Sequence, residues 1–393
     1  MPDRQRILYV QPNNEVGGSD LALLRMVEAL DQDYYQAFVA LPGDGPMTER
    51  LRAAGATVRF VPMMQLRTLP SPSYQARYLA RFWLSVWRLR RVIRQDRIDL
   101  VHTNSLYCLY AGFAARAARV RHLWHIREIP PAIPVARPAL ARMVLALSDM
   151  VVAMTQACAA GLDGARTQSP KMRFLSEGLD LARWSRSQVT RDLRQELGLP
   201  PSALLVGFVA RLDPWKGLDV FLQAARLVAS DIPNAVFLVS GDAPSGFEAY
   251  RDRMIALAAE LDIADRVHFL GWRYRMDDIP ILMAGLDVFC HTSIAPEPFG
   301  LVIIEAMAMG TPVIAADAGG PREMVVDGES GLRTPPGDAP ALATAIRSLA
   351  ADPDRRAGIA AAGRARVEAV YSLPAFQAQL GRLYEDVLAG VRT

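Results

Sequence analysis

The stretch that decides the fold is residues 297–305, with the sequence EPFGLVIIE. It places two carboxylates around a Pro-Phe-Gly turn at the start of an apolar segment. Residues 286–291 before it, LDVFCH, predict a short buried strand, and residues 300–309 predict a helix. Because the first turn of a helix has free backbone N–H groups that attract phosphate, this strand-turn-helix unit predicts an anion site near Glu297 and Glu305.

These two carboxylates suit a ligand that is rich in hydroxyl groups. Glu297 is predicted in the loop after the strand and Glu305 within the helix, so one can accept hydrogen bonds from a sugar ring and the other from a ribose. The alternative is that both are ordinary surface acids, as most carboxylates are. The neighbours of Glu305 between residues 301 and 309 are all apolar, which predicts partial burial and favours a functional role.

A second cluster lies in residues 206–217, with the sequence VGFVARLDPWKG. An apolar strand here leads into a loop that carries Arg211 and Lys216. Of the 44 basic residues in the chain, only Lys171 and Lys216 are lysine, so lysine at 216 indicates a need for a compact point charge. Arg211 offers a planar fork for two phosphate oxygens. Each alone is explained equally well as a surface cation, but together they predict a diphosphate clamp at a strand end.

Strand and helix patterns alternate through the rest of the C-terminal half. Short apolar runs end in glycine at Gly241, Gly271 and Gly319, and helical stretches at about residues 219–230 and 248–261 separate them. This alternation predicts a parallel sheet with helices on both faces. Ligands of such sheets bind outside the carboxyl ends of the strands.

One more motif, Gly310-Thr311-Pro312-Val313, follows the predicted helix. With Arg211, Lys216-Gly217 and the two glutamates around Pro298-Phe299-Gly300, it resembles the family 4 retaining glycosyltransferases (glycosyl transferases group 1) of the GT-B fold. The likeness covers most of the chain and is densest from about residue 207 to residue 337. It implies an α/β protein of two doubly wound, Rossmann-like domains that face each other across a cleft.

The resemblance also implies the domain ranges. Residues 1–182 are expected to form an N-terminal acceptor-binding domain, and residues 183–371 a C-terminal domain that binds the nucleotide-sugar donor. A last helix, at about 372–393, is expected to pack back on the first domain. Near the boundary, residues 176–180 (SEGLD) resemble the family's Asn-Gly-x-Asp turn with Glu177 in place of Asn. This departure is expected to change only the turn's own hydrogen bonds.

The resemblance assigns roles to residues of the donor site. It implies that Arg211 and Lys216 hold the diphosphate, that Glu305 holds the ribose, and that Glu297 contacts the transferred sugar. The remaining donor-binding predictions are the first-loop glycines Gly17 and Gly18, Gly241, the base-side residues Trp272 and Arg273, and the backbone of Phe299, Gly300 and Leu301.

The N-terminal half predicts a second alternating domain, with strands at about residues 6–11, 35–41, 57–61, 100–103, 121–126 and 150–154. Two of these strands carry histidines at their ends, and a histidine there is often only structural. His125 matches the position of a family histidine beside the transferred sugar, so it is predicted to be catalytic with Arg211, Lys216 and Glu297. His102, Asn104 and Arg127 are candidates for acceptor contacts, with structural roles left open.

The expected chemistry depends on charge. Breaking the bond from the anomeric carbon to the diphosphate builds negative charge on the leaving group, which the cations of Arg211 and Lys216 stabilise. The sequence shows no Cys/His cluster of metal-ligand spacing. As the resemblance also implies, no metal and no cofactor beyond the donor are expected.

Length and composition agree with two domains. At roughly 100–200 residues per domain, a chain of 393 residues with 51% hydrophobic content suits two cores. Three cysteines, Cys108, Cys158 and Cys290, lie mainly in apolar stretches, which predicts reduced thiols and a cytoplasmic protein. Residues 1–5 leave no room for a signal peptide, and no apolar run approaches the ~20 residues of a membrane span.

Residues 77–97 concentrate the basic charge of the N-terminal half. Arginines alternate there with aliphatic residues and with Trp83 and Trp87. The pattern predicts an amphipathic helix that contacts an anionic membrane, at the inner face of the cell membrane. An ordinary core-facing helix with an arginine-rich solvent face is the alternative, and both stay open. No nucleic-acid-binding module accompanies the charge, so nucleic acid is not expected as a partner.

These features predict an enzyme that moves a hexose-type sugar from a UDP- or GDP-linked donor to a glycan or lipid-linked acceptor, in the synthesis of cell-surface polysaccharide or glycolipid. Two alternatives are a nucleotide-sugar epimerase on the same fold and a non-catalytic sugar-nucleotide-binding subunit. Catalysis is favoured because His125, Arg211, Lys216, Glu297 and Glu305 are all present.

Overall fold

A computed structural model describes residues 4–15, 18–66, 71–134, 136–163, 169–274 and 278–390. The chain forms two units: Met1–Gly178 together with Leu373–Thr393, and Leu179–Ser372. Each unit is a parallel sheet with helices on both faces, as the alternating sequence pattern predicts.

The first unit contains, within the described ranges, a sheet of seven parallel strands in the order β3-β2-β1-β4-β5-β6-β7. The direction of the strand order reverses between β1 and β4, which is where doubly wound sheets bind ligands. The strands are β1 (Gln5–Val10), β2 (Tyr35–Leu41), β3 (Thr57–Phe60), β4 (Leu100–Thr103), β5 (Arg121–Ile126), β6 (Met150–Ala153) and β7 (Met172–Phe174).

Helices of the N-terminal segment cover both faces of this sheet. One face packs on α1 and the other on α3 and α4, because alternate residues of β1 point to opposite sides: Ile7 and Tyr9 to the first, Leu8 and Val10 to the second. The helices are α1 (Gly18–Glu28), α2 (Thr48–Ala53), α3 (Pro72–Gln95), α4 (Tyr110–Ala118), α5 (Ala136–Leu147) and α6 (Gln156–Asp163).

The second unit repeats this design, with the order β10-β9-β8-β11-β12-β13 among its described strands. Its reversal lies between β8 and β11, which pair at Val206 and Val288. The loops that follow these two strands therefore leave the sheet side by side. The strands are β8 (Leu204–Val209), β9 (Ala235–Ser240), β10 (Val267–Gly271), β11 (Val288–His291), β12 (Val313–Ala316) and β13 (Leu332–Thr334).

One face of the second sheet carries a core cluster on β8, β9 and β11, in which α8 and α13 pack closely. The helices of this unit are α7 (Leu193–Leu197), α8 (Leu218–Asp231), α9 (Glu248–Glu260), α10 (Ile279–Gly285), α11 (Leu301–Ala308), α12 (Pro321–Met324), α13 (Ala339–Ala351) and α14 (Pro353–Arg366).

The last helix, α15 (Leu373–Ala389), belongs to the first unit. It lies on the face that also carries α1, where its apolar side is buried with Tyr9 and Leu123. Each large apolar side chain buried in this way contributes about 1.5–3 kcal/mol. The buried residues recur every three or four positions along the helix: Phe376, Leu380, Leu383, Tyr384 and Val387.

Proline does not disturb α5, because its only proline, Pro138, lies in the first turn, where proline is tolerated. One local expectation from the sequence differs from the structure. The arginine-rich helix runs over residues 72–95, so Arg97 lies beyond it, in a turn with φ +50°. Gly17, a predicted donor-site glycine, lies outside the described residues.

Candidate functional site

The loops after β8 and β11 bring Lys216 and Glu297 together at the strand-order reversal of the second unit. The Nζ of Lys216 lies 2.5 Å from the Oε1 of Glu297, and it also lies 4.1 Å from the centre of the Trp215 ring. Gly217, with φ +69°, follows the lysine, and a Cβ at this position would lie 2.2 Å from the carbonyl oxygen of Thr292. Glycine is therefore required here for the close approach of the two loops.

Glu297 is held on its other side by two residues that the sequence analysis did not single out. The Nε2 of His291 lies 2.6 Å from the Oε2 of Glu297, and Ser293 donates to the same oxygen at 2.9 Å. Burial by itself raises the pKa of Glu297, but the hydrogen bond from His291 and the charges of His291 and Lys216 outweigh burial and hold that pKa well below its usual range. The carboxylate therefore stays ionised and suits the role of a hydrogen-bond acceptor for hydroxyl groups.

Arg211 lies on the same loop as Lys216. Its guanidinium pairs with Asp213 at 2.5 Å, while its side chain is 58% exposed. Asp213 is buried and keeps Arg211 at the carboxyl end of β8. Both cations predicted for the diphosphate thus have carboxylate partners in the structure. An incoming diphosphate has to replace or share these partners.

The Pro-Phe-Gly turn is fixed from the opposite side by Gly319 and Gly320. Gly320 donates its backbone N–H to the carbonyl of Glu297 at 2.7 Å, and a Cβ on Gly319 would lie 2.4 Å from that carbonyl oxygen. Gly300 adopts φ +117° immediately before α11 begins at Leu301. The turn therefore sets Glu297 close to the amino end of α11, with Glu305 half-buried on this helix.

The predicted base-side residues follow β9 and β10. Gly241 has φ +121°, and a Cβ there would lie 1.8 Å from the carbonyl oxygen of Ala210, so the loops after β8 and β9 touch through backbone. Trp272 is half-exposed after β10, the edge strand. Arg273 donates to the backbone carbonyl of Glu196 at 3.2 Å, so α7 already holds its guanidinium.

In the first unit, His102 and His125 lie near the carboxyl ends of the neighbouring strands β4 and β5. The Nε2 of His102 is 3.3 Å from the Nδ1 of His125, and both rings are buried. Burial, followed by the charges of Arg127 and His122, lowers the pKa of His102 to about 3. Burial, followed by the charges of Arg127 and His102, places the pKa of His125 well below its usual value. Both rings are therefore neutral at physiological pH.

Asn104 belongs to a buried amide network between β1 and β4. Its Nδ2 donates to the Oε1 of Gln11 at 2.9 Å, and Gln11 donates to Asp20 at 3.0 Å. Asn13 also donates to Asp20, at 3.0 Å. The Oδ1 of Asn104 is buried and has no hydrogen-bond partner among the described residues. Gln11 and Asp20 were not predicted, although Asp20 directly follows Gly18 and Ser19 at the start of α1.

Arg127 forms a buried ion pair with Glu177. Their side chains are 7% and 2% exposed, so the charge of Arg127 has its counter-charge within the first unit. The expectation that glutamate at 177 changes only its own turn is therefore wrong. Glu177 supplies the counter-charge of Arg127. Arg127 lies two residues after His125 in the sequence.

Across the described ranges, no group of three or more His, Cys, Asp or Glu side chains is arranged to hold a metal ion. The sequence contains two Asp-x-Asp motifs, and they are not part of any such group. Residues 31–33 lie at the turn before β2, and residues 352–354 lie at the start of α14. No described helix has the length and apolar character that a bilayer span requires.

Two family models match the chain in succession. Residues 16–183 match Glycosyltransferase Family 4, and residues 189–366 match Glycosyl transferases group 1. Among curated proteins, the D-inositol 3-phosphate glycosyltransferase of Corynebacterium urealyticum is 34% identical over 58% of this chain and 54% of its own length. The enzyme of the same name from Nocardia farcinica is 34% identical over 75% of this chain and 63% of its own length. The chain spans about half the length of several curated relatives that it matches.

Solved structures match both units. HepE from Anabaena, in complex with UDP, is 27% identical with a TM-score of 0.82 and covers 97% of this chain and 100% of its own. Sucrose-phosphate synthase from Thermosynechococcus elongatus is 25% identical with a TM-score of 0.76. The match covers 99% of this chain and 100% of the synthase chain. The chain therefore belongs to the family 4, group 1 glycosyltransferases and has their GT-B fold of two parallel-sheet α/β domains.

Proposed function

We propose that this protein is a retaining glycosyltransferase that moves a hexose-type sugar from a nucleoside diphosphate sugar to a glycan or lipid-linked acceptor. The observation that carries this proposal is the contact of Lys216 with Glu297 at the strand-order reversal of the second unit. The contact puts a cation that suits a diphosphate next to an ionised carboxylate that can accept hydrogen bonds from sugar hydroxyls.

In the proposed reaction, the bond from the anomeric carbon to the diphosphate oxygen breaks and its electron pair leaves with the diphosphate. Lys216 and Arg211 stabilise this charge, and their present partners, Glu297 and Asp213, release them to the phosphates. The acceptor hydroxyl attacks from the same face, and its proton passes to the leaving phosphate. Glu297 and His125 contact the transferred sugar, and Glu305 holds the ribose.

The proposed donor carries uridine, with guanosine as the alternative. HepE, which is similar to both units, has been solved with UDP and with UDP-glucose. We also propose that no metal or further cofactor takes part, because Lys216 and Arg211 supply positive charge for the diphosphate. On this proposal, EDTA leaves the rate of transfer unchanged.

The first test is nucleotide binding, measured by calorimetry with UDP, GDP, ADP and their glucose conjugates. We expect one nucleotide family to bind the protein and to bind Lys216→Met at least tenfold more weakly. Lys171→Met is the matched control. Lys171 is the only other lysine in the sequence, and it donates to the carbonyls of Leu145 and Ser148 in the first unit. Failure of every nucleotide to bind overturns the proposal.

The second test is turnover of the bound donor with oligosaccharide, lipid-linked and inositol phosphate acceptors. A product with the anomeric configuration of the donor supports the proposal, and an inverted product contradicts retention. Conversion of the donor sugar without an acceptor identifies an epimerase. Binding without any turnover identifies a non-catalytic sugar-nucleotide-binding subunit.

We also propose that α3 contacts an anionic membrane, which brings the enzyme to a lipid-linked acceptor at the inner face of the cell membrane. Four large apolar side chains of this helix are exposed: Leu79, Trp83, Leu84 and Trp87. Exposed arginines lie beside them, and the guanidinium of Arg91 is 5.9 Å from the centre of the Trp87 ring. The helix contains no acidic residue. Apolar and cationic groups together suit the interface of an anionic bilayer.

This surface is tested by sedimentation with vesicles of phosphatidylcholine, with and without phosphatidylglycerol. We expect binding that depends on the anionic lipid, weakens with salt, and falls at least tenfold in the double variant Trp83→Ser with Trp87→Ser. Tyr34→Ser is the control, because Tyr34 is exposed outside α3. Equal binding of wild type and the double variant, or no binding of either, contradicts the proposal.

A further inference from the structure

Four buried rings form a continuous hydrogen-bonded line from α15 to His125. The hydroxyl of Tyr384 donates to the hydroxyl of Tyr9 at 2.8 Å and lies 2.7 Å from the Nδ1 of His102. The Nε2 of His102 is in turn 3.3 Å from the Nδ1 of His125. All four side chains are almost fully buried. We call this line the Tyr384–His125 relay.

The sheet geometry explains why these residues meet. Tyr9 on β1 pairs directly with His102 on β4, and His102 pairs with Leu123 on β5. Because alternate residues of a strand share a face, His125 lies on the same face as Leu123, one pleat further toward the carboxyl end. Helix α15 covers this face and brings Tyr384 against the ring of His102.

The relay determines where the imidazole hydrogens lie. A tyrosine hydroxyl has one hydrogen, and that of Tyr384 points to Tyr9. The Nδ1 of His102 must therefore donate to Tyr384, which leaves the Nε2 of the neutral His102 ring as an acceptor. The Nδ1 of His125 then donates to that acceptor. In the neutral His125 ring, the hydrogen lies on Nδ1 and the Nε2 presents a lone pair.

The end of the relay is open. The Nε2 of His125 is buried and makes no hydrogen bond of normal geometry in the part of the chain that the structure describes; the backbone carbonyl of Leu175 lies near the ring and acts to raise its pKa, but burial outweighs it. A buried acceptor without a partner costs free energy unless a ligand supplies the donor. Burial and the neighbouring charge of Arg127 keep the ring neutral, so protonation does not replace the lone pair.

We propose that Tyr9 and Tyr384 are positioning residues that hold His125 in the tautomer with a lone pair on Nε2, which accepts a hydrogen bond from a hydroxyl of the bound sugar. This inference has two halves. The ligand half, which is the hydrogen bond from the sugar hydroxyl to His125, rests on the proposed function. The tautomer half, which is the position of the hydrogen on the His125 ring, does not. A group that accepts hydrogen bonds but cannot donate them, such as fluorine or a carboxylate, is disfavoured at this position.

The tautomer is measured in the free protein by long-range ¹H–¹⁵N spectroscopy with ¹⁵N-labelled histidine, which separates protonated from unprotonated ring nitrogens. The chain has five histidines, and His102→Gln and His125→Gln assign the two signals. We expect both rings to carry hydrogen on Nδ1. A hydrogen on the Nε2 of His125, which results if Tyr9 donates to Tyr384, overturns the proposal.

Tyr9→Phe provides the decisive variant. It removes the acceptor for the Tyr384 hydrogen, which then turns to the Nδ1 of His102 and reverses the tautomers of both histidines. Tyr35→Phe is the matched control: its ring lies 5.6 Å from that of Tyr384, and its hydroxyl is outside the relay. An unchanged spectrum in Tyr9→Phe, or a reversal in Tyr35→Phe, contradicts the relay.

The ligand half is tested by the binding of UDP-glucose and of analogues in which one sugar hydroxyl at a time is replaced by fluorine. At one position, we expect the fluoro analogue to bind the wild type at least tenfold more weakly than UDP-glucose. In Tyr9→Phe, that loss should shrink to less than threefold, because an N–H now faces the fluorine. Equal losses in the two proteins overturn the ligand half. If UDP-glucose does not bind at all, the donor proposal fails while the tautomer measurement still decides the relay.

Discussion

The carboxylate of Glu297 lies between two basic side chains, with its Oε1 2.5 Å from the Nζ of Lys216 and its Oε2 2.6 Å from the Nε2 of His291. Lys216 is predicted to serve the diphosphate and Glu297 the sugar, yet the structure joins them in one electrostatic unit. The two roles are therefore coupled, because a change at either residue alters the charge and orientation of the other.

This coupling predicts non-additive effects on catalysis. Lys216→Met and Glu297→Gln are each expected to lower kcat/KM by about 10²–10³, the loss typical of removing one group that stabilises the transition state. The double variant should lose clearly less than the product of the two single losses, because each single change already disturbs the pair. Steady-state kinetics of the four proteins provide the measurement, and fully multiplicative losses contradict the coupling.

Glu297 is also expected to contribute a pH-dependent term to stability. Its pKa is depressed in the folded protein, against about 4.3 in an unfolded chain. Its contribution is thus fully present above the unfolded value and is lost as pH falls through the folded pKa, in the window below about pH 4. Urea unfolding of wild type and Glu297→Gln between pH 7 and pH 3 should show a gap that narrows only in this window. A gap that is constant throughout contradicts the depressed pKa.

Gly241 is expected to be essential for the contact of the two loops after β8 and β9. Gly241→Ala adds a methyl group 1.8 Å from the carbonyl oxygen of Ala210 at φ +121°, so the loops must move apart. Gly246→Ala is the control: it has φ +90° but meets no atom within 4 Å, which limits its cost to backbone strain of roughly 1–2 kcal/mol. We expect Gly241→Ala to lower the unfolding midpoint further and to weaken nucleotide binding at least tenfold. Equal effects of the two changes contradict a required contact.

The buried pair of Arg127 and Glu177 is expected to make each partner costly to remove alone. Arg127→Met or Glu177→Met leaves one uncompensated buried charge, at a cost of about 3–5 kcal/mol in the free energy of unfolding. The double methionine variant should recover much of this loss, since no unpaired charge remains. Urea unfolding of the three variants tests this prediction, and a double variant less stable than both single variants contradicts it.

Local patterns were sufficient to predict most elements of the fold. The strand of residues 121–126 was predicted at its observed limits, and α11 was predicted to within one residue at each end. Both depend on short-range periodicity, which the sequence displays directly. The edge strands β7 and β13 were missed, because each has only three residues and too few alternations to form a pattern.

The partners of the predicted site residues were harder to obtain. The Tyr384 contact with His102 joins residues 282 positions apart, and the Arg127 contact with Glu177 joins residues 50 positions apart. Neither periodicity nor composition predicts contacts between residues so far apart in the sequence. His291 was visible as the end of an apolar strand, but its contact with Glu297 depends on how the loop between them turns. The orientation of Arg273 toward α7 is likewise a tertiary contact without a local signal.

The return of α15 to the first unit has a consequence for the order of folding during synthesis. Unit Leu179–Ser372 is continuous and can fold once it has left the ribosome, whereas the first unit lacks part of its core until α15 emerges. Nascent chains usually complete the N-terminal domain first; in this protein, the domain translated first is completed last. Because Tyr384 arrives with α15, the hydrogen-bonded line to His125 can form only at that final step.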